Sequence, residues 1–428
     1  MMTKKKWISL ICLFSLCALI FLPKQKTLRI GIFVGSYWDV PSGEGYHIID
    51  EAVARFEQSH PGVKVEYVSG IRKDDYSQWL SDQIMLGKEP DVYMVFNEDF
   101  TVLSSIGALK MLDGYMAKDD FSSDDYYESV ISAGVYEGHQ YALPYECNPT
   151  LMFVNKTLLN NEGIEIPENG WTMEEFYDIC ARVTKDTNGD GLIDQFGCYN
   201  YSWLDSAHAY DLSLFNDEGS SALLTQDGLK QAILFVQKLN ALNGSYKLSA
   251  QEFDEGKVAF SPMTFASYRT YKPYPWRVKK YSAFEWDCVK MPAVAGSEGK
   301  SEISSLLMGI SSRTQNSDLA FDLLKEFTYS ESSQTNIIRY SQGLSPLKSV
   351  MRSAEVLDSI TEQLGDSEVE LSLLDEIMEQ TSQPKQFIAY SSALNLVDNG
   401  ITTMMENGDD MDLALMKLQK EINRYLRS

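Results

Sequence analysis

Histidine is scarce in this chain. There are four in 428 residues, and His47, His60, His139 and His208 stand far apart. No His-x-x-x-His or His-Glu-x-x-His spacing occurs, so the helix motif that holds a catalytic zinc is missing. A Gly-x-Ser-x-Gly nucleophile elbow and a phosphate-cradling glycine loop are missing too. Cysteine is sparse, at six residues, and none forms a Cys-x-x-Cys pair. Cys147, Cys180, Cys198 and Cys288 fit neither a metal knuckle nor a dense disulfide framework, and the sequence leaves open whether any of them pair. Positive charge is in deficit: 37 Lys and Arg face 61 Asp and Glu, for a net charge of -24. A chain this acidic repels nucleic-acid phosphates and anionic membrane surfaces, which excludes both as partners. No low-complexity linker and no internal repeat is present.

What is there is apolar residue and length. At 44% hydrophobic over 428 residues the chain can bury more than one core, and two domains are expected. Residues 1–26 read as a signal or anchor segment. Lys4, Lys5 and Lys6 precede an uncharged run from Trp7 to Leu22, and Lys24 and Lys26 follow. Cys12 follows Ile11 and Cys17 follows Leu16, so neither has the small neighbour that lipidation requires. Ser15 and Cys17 before Ala18 make a poor cleavage site. An uncleaved anchor is expected, with the bulk of the chain outside.

The body of the chain opens with Thr27 to Val34, a short β-branched strand. A helix with Ile49, Val53 and Phe56 on one face follows, then a strand at Val63 to Val68, a helix at Tyr76 to Leu86, and a strand at Asp91 to Phe96 without polar alternation. Strand-helix-strand-helix-strand predicts a parallel, doubly wound sheet. Helices dominate from Thr172 to Thr184, Thr225 to Leu242 and Ala250 to Glu255. Extended segments are expected at Val258 to Pro262, Trp286 to Met291 and Ser305 to Ile310. After an amphipathic helix at Leu319 to Tyr329, the C-terminal quarter reads as helical throughout.

Several short stretches stand in a telling order. Glu89-Pro90-Asp91-Val92 precedes Ile106-Gly107-Ala108-Leu109-Lys110-Met111-Leu112-Asp113. Gly138 to Glu146 runs on to Leu151-Met152-Phe153-Val154-Asn155-Lys156. Trp171-Thr172-Met173-Glu174-Glu175-Phe176 opens a helix with Thr172 and Glu175 spaced as a capping box. Phe253-x-x-Gly256-Lys257-Val258-Ala259-Phe260 and Gly343-Leu344-Ser345-Pro346 follow. In this order they resemble the extracellular solute-binding proteins of ABC transporters, the sugar-binding group that includes maltose-binding protein. The resemblance implies two α/β lobes joined by hinge crossings, with a helical C-terminal part. By analogy lobe 1 is 28–143 plus 283–345 and lobe 2 is 144–282 plus 346–428. It implies no catalysis and no required cofactor. It implies a small-molecule solute held between the lobes, an ABC permease as partner, a monomer, and residence on the outer side of the cell membrane. Two other readings stay open: a tethered sensor subunit that presents its solute to a membrane receptor, and a surface carbohydrate-active enzyme.

A sugar site needs flat rings against sugar faces and polar groups for the hydroxyls. Placed at strand ends and crossings, the candidates are Tyr37, Trp38 and Asp39 after the first strand, and Asn97 and Glu98 after the third. Tyr145 and Glu146 stand at the crossing. Tyr201, Trp203, Phe265, Tyr268 and Arg269 stand in the second lobe. Few cations stand near them, so a neutral sugar or oligosaccharide is expected. Asp186, Asn188, Asp190 and Asp194 put oxygens at positions 1, 3, 5 and 9 of an EF-hand-like loop, but position 12 is Gly197. The loop is either a structural calcium site or a polar turn rich in Asx residues.

Overall fold

The protein is presented as a computed structural model that describes residues 25–427 apart from 39, 41–44, 120, 272–283, 298, 357, 359 and 361–370. The hydrophobic run Trp7 to Leu22 and the candidate Asp39 lie outside the described residues. No helix among the described residues is long and apolar enough to cross a membrane.

Strands β1 (Lys26–Gly31), β2 (Val63–Tyr67) and β3 (Val92–Val95) form the parallel unit that the sequence predicts, with β1 in the middle. Helices Gly45–Ser59 and Lys73–Leu86 make the crossovers. The second ends at Gly87, whose φ of 63° closes a left-handed cap that glycine adopts without strain. Every residue of β3 is buried, which is why its pattern shows no polar alternation.

A small hairpin of β4 (Val135–Tyr136) and β5 (His139–Gln140) leads into β6 (Ala142–Asn155), a strand of 14 residues. The remaining strands are β7 (Phe196–Cys198), β8 (Val258–Thr264), β9 (Trp286–Val289), β10 (Ser301–Ile310) and β11 (Thr381–Ser382). The mixed sheet runs β2-β1-β3-β10-β6-β8-β7, with β11 on β10 and β9 on β6. The first half of β6 is antiparallel to β10, through Ala142 to Pro149. Its second half is antiparallel to β8 and β9, through Thr150 to Asn155. One strand thus serves two lobes.

Each lobe has its own core. Leu28, Val92, Leu307, Phe321 and Ile337 belong to the first cluster. Phe176, Ile233, Phe260, Val397 and Ile422 belong to the second. The helix Met173–Val183 starts with the expected capping box, Thr172 and Glu175 bonding reciprocally. The C-terminal helices Tyr390–Asn407 and Met411–Tyr425 pack on the second core.

The full length of β6 is not readable from its sequence, because Pro144 and Pro149 lie inside it and proline removes a ladder donor. The strand tolerates Pro144 where its register with β10 shifts, between Leu306 and Leu307. The bulge falls beside Tyr145 and Glu146, where such irregularities re-aim side chains. Residues 286–289, which the sequence division groups with the first lobe, pair with the second half of β6, and Ala293 bridges to Thr172.

Candidate ligand cleft

Parallel β1 and β3 end side by side, and the next strand, β10, runs the other way. Open α/β sheets bind ligands at such a switch point, beyond the carboxyl ends of the strands. A concavity of about 170 Å³ opens there. Phe33, Val34, Gly35 and Ser36 wall it after β1, Tyr145 and Glu146 come from β6, Leu306 from β10, and Tyr340 and Ser341 from the end of helix Glu331–Tyr340.

Glu146 is its chemical centre. The side chain is 4% exposed and accepts a hydrogen bond from Ser341 Oγ. Burial pushes its carboxyl up to about 7, against the opposing pull of Ser341, Trp38, Arg269 and the Gly343 N–H. Trp38 Nε1 faces the same carboxylate, buried and without a hydrogen bond of good geometry. A Cβ on Gly343 would stand 2.8 Å from both Glu146 Oε2 and Trp38 Nε1, so only glycine fits between them. Arg269 reaches in from the helix Phe265–Tyr271 that follows β8. It donates through Nη1 to Gly343 O at 3.1 Å and through Nη2 to Ile338 O at 2.7 Å. Burial lowers its pKa to about 10, and Glu146 opposes the shift.

Tyr37 ties the loop after β1 to the start of helix Asn97–Ser105. Its hydroxyl donates to Glu98 Oε2 at 3.0 Å and accepts from the Asn97 N–H at 3.3 Å. Its ring lies 4.8 Å from that of Trp38 and 5.0 Å from that of Phe96. Burial and then the Glu98 charge push the phenol well above its ordinary range. Asn97 Oδ1 accepts from Gln386 Nε2 at 3.3 Å. The structure therefore brings Tyr37, Trp38, Asn97, Glu98, Tyr145, Glu146 and Arg269 into one neighbourhood.

The other sequence candidates sit in packing. Tyr201 and Trp203 belong to the second core. Tyr201 donates to Met173 Sδ at 3.2 Å, and Trp203 Nε1 donates to Asp398 Oδ1 at 2.7 Å. Phe265 and Tyr268 are fully buried, and the Tyr268 hydroxyl donates to Asp287 Oδ1 at 3.1 Å. Ser341 and Tyr46, which line the concavity, were not singled out in the sequence. The one available signal was the Gly343-Leu344-Ser345-Pro346 turn, which places a glycine beside Ser341.

The loop from Asp186 to Asp194 is closed on itself. The Asp186 carboxylate accepts from the N–H groups of Asn188, Gly189 and Gly191, and Asn188 Oδ1 accepts from the Asp190 N–H. Asp190 Oδ1 accepts from the Leu192 N–H, and Asp194 accepts from Thr187. Among the described residues no group of three acidic, His or Cys side chains converges as a metal cradle. Cys147, Cys180, Cys198 and Cys288 are free thiols.

Two cores share the strand β6, and the hollow around Glu146 is walled by residues of the first core and its loops. The family model of bacterial extracellular solute-binding proteins matches residues 51–360, and the chain belongs to that family. That family is one of binding proteins, not of enzymes. A binding protein of Brucella abortus is 27% identical over 199 residues, 45% of this chain and 46% of its own length. The mannitol-binding protein of Pseudomonas aeruginosa is 26% identical over 136 residues, 31% of this chain and 30% of its own. The chain thus matches less than half the length of these curated relatives. Among solved structures, the cyclic alpha-maltosyl-1,6-maltose binding protein of Arthrobacter globiformis superposes with a TM-score of 0.77 at 16% identity, covering 94% of this chain and 98% of that one. The sugar-binding protein MalE of Xanthomonas citri gives 0.75 at 17%, with 94% and 98% covered. At such identity the likeness shows the two-lobed fold.

Titration of Glu146 gives a testable sign. Its folded pKa of about 7 lies above the ordinary 4.5. Between these values the folded chain holds a proton that the unfolded chain has released. The contribution is favourable at the acid end and is lost as pH rises through 7. Burial moves His208 the other way, down to about 4, but His208 is common to the wild type and a Glu146 variant. Urea denaturation should show wild type losing on the order of 3 kcal/mol relative to Glu146→Gln between pH 4.5 and pH 7. Parallel pH profiles would place the Glu146 carboxyl in water instead.

Proposed function

We propose that this chain is the substrate-binding component of an ABC importer and that it captures a neutral sugar or oligosaccharide by closing its lobes about β6 and β10. The observation that carries this reading is the hollow around Glu146. It combines the aromatic walls of Phe33, Tyr46, Tyr145 and Tyr340 with the buried Glu146 carboxyl, whose oxygens accept hydroxyl donors. Arg269, a buried cation beside it, donates to two backbone carbonyls. Neighbours in fold described as maltodextrin- and maltose-binding support the sugar class. A membrane permease is the partner this role requires, with the protein acting as a monomer. The basic and apolar start of the chain supports a tether on the outer face of the membrane. Intact-mass analysis of the native protein decides whether the N-terminal peptide is that tether: an intact N-terminus is expected, and a form beginning at Ala18, or a lipid adduct on Cys17, would show that the segment is processed.

In a thermal-shift panel, neutral mono- and oligosaccharides should raise the melting temperature, because a cleft ligand stabilises only the folded state. Amino acids, phosphate and polyamines should not. Trp38→Ala should weaken sugar binding by about 1–3 kcal/mol, the scale of one buried aromatic contact, while the fold is kept. A shift with charged metabolites alone would overturn the sugar assignment.

Calcium at the 186–194 loop is proposed on the spacing of its oxygens, and binding would have to turn those oxygens away from the backbone amides they now accept from. Chelation should then lower the melting temperature, and Asp190→Ala should abolish that response. A melt indifferent to chelator would make the loop a plain turn.

A further inference from the structure

The first lobe has an apolar end that its own core leaves bare. Helix Lys73–Leu86 runs back along the sheet, so its last residues stand where β3 begins. Met85 is 76% and Leu86 64% exposed there. Arg313 ties this helix end to the stretch after β10, donating through Nη1 to Ile84 O at 2.8 Å. That stretch meets the turn after helix Asn97–Ser105: the Ser312 N–H donates to Ala108 O at 2.9 Å, and Ser311 bridges to Leu109. Ile106, 63% exposed, and Met111, 42% exposed, flank the bridge. Val102, one helical turn before Ile106, is exposed as well. Exposed apolar side chains are ordinarily scattered singly, whereas these gather at one end.

The ionic groups of this end do not share the acidity of the whole chain. Lys26, Lys88 and Arg313 are exposed here. Glu89 is buried and faces Arg313 and Ser311. Asp91 accepts from the Arg29 N–H and from Thr314 Oγ1. Asp318, on the first turn of the next helix, is an exposed acid of this end.

Strand β1 also begins here. Its Ile30 pairs with Val92, the first residue of β3, so Lys26 lies beyond the start of β3, on the side of Lys88. Only Pro23, Lys24 and Gln25 separate Lys26 from the apolar run Trp7 to Leu22. Four chain steps of at most ~3.6 Å keep the end of that run within about 14 Å of β1, whatever its path. The Glu146 hollow lies at the opposite ends of the same strands.

We propose that this end of the first lobe rests on a lipid bilayer, with Met85, Leu86, Ile106 and Met111 among the headgroups and the Glu146 hollow directed away from the membrane. The proposal rests on the tether reading and adds an orientation to it. A run held in the bilayer and a leash of three residues keep this end against the surface. Lysine and arginine suit its rim, because they bury their stems and keep their charge in water. The hollow then meets solute freely, and delivery to a permease requires the lobe to tip about Lys26.

Photolabelling of the full chain tests it. The intact protein is reconstituted in phosphatidylcholine vesicles that include a phosphatidylcholine with a diazirine near its headgroup, and labelled peptides are read by mass spectrometry. The lipid is zwitterionic because a net charge of -24 repels an anionic surface. Label is expected on Trp7 to Leu22 and on the peptides that hold Met85–Leu86 and Ile106–Met111. None is expected at Leu192 or Met416, comparably exposed apolar residues elsewhere on the surface. Met85→Asp with Ile106→Asp should cut labelling of the face about tenfold, the scale of one or two partly buried apolar side chains, with the melt unchanged. Label on Trp7 to Leu22 alone overturns the bilayer face and leaves the tether standing. Equal label at Leu192 and Met416 overturns it as nonspecific contact. Label on neither the run nor the face removes the tether reading and the bilayer face with it.

Discussion

The structure depends on β6 belonging to both lobes at once. Its first half completes a sheet with β10 and the parallel strands, and its second half completes a sheet with β8 and β9. A backbone strand resists stretching but bends and twists at a bulge. The lobes can therefore rotate about this ribbon without breaking either core, since the two clusters draw on different helices. The bulge at Leu306 and Leu307 sits beside Glu146, in the half of β6 that pairs with β10, a few residues before the changeover at Pro149 and Thr150.

That placement explains the cluster around Glu146. Burying a carboxylate is expensive unless it is paired and hydrogen-bonded. Here Ser341, Trp38, the Gly343 backbone and the Arg269 charge offset part of the cost and leave the proton affinity raised. They come from three segments: Trp38 from the loop after β1, Ser341 and Gly343 from the turn after helix Glu331–Tyr340, and Arg269 from the helix after β8. A group held by so many segments reads out their relative positions. The buried carboxyl also sets what the hollow accepts, since its oxygens need hydrogen-bonding partners such as hydroxyls.

Local pattern made the first α/β unit legible, because β1, β2 and β3 are short, apolar and separated by helices of clear period. The Thr172 and Glu175 capping box was equally legible, since its chemistry is contained in four residues. β6 was not, because Pro144 and Pro149 disguise a strand that only tertiary pairing stabilises. Among the site candidates, Tyr37, Trp38, Asn97, Glu98, Tyr145, Glu146 and Arg269 stand near one another in the fold, as their positions at strand ends and the crossing suggest. The same reasoning could not tell a cleft aromatic from a core one: Trp203 bonds to Asp398, 195 residues away, a contact no local pattern encodes.

The central claim is that the two lobes close about β6 and β10 on a ligand held between them. Small-angle X-ray scattering of the intact protein, with and without the sugar that shifts its melt most, tests this directly. The account predicts a smaller radius of gyration in the bound state, and Glu146→Gln should still close at a ligand concentration that saturates it. Superimposable scattering curves at full saturation would show binding without closure and contradict the account.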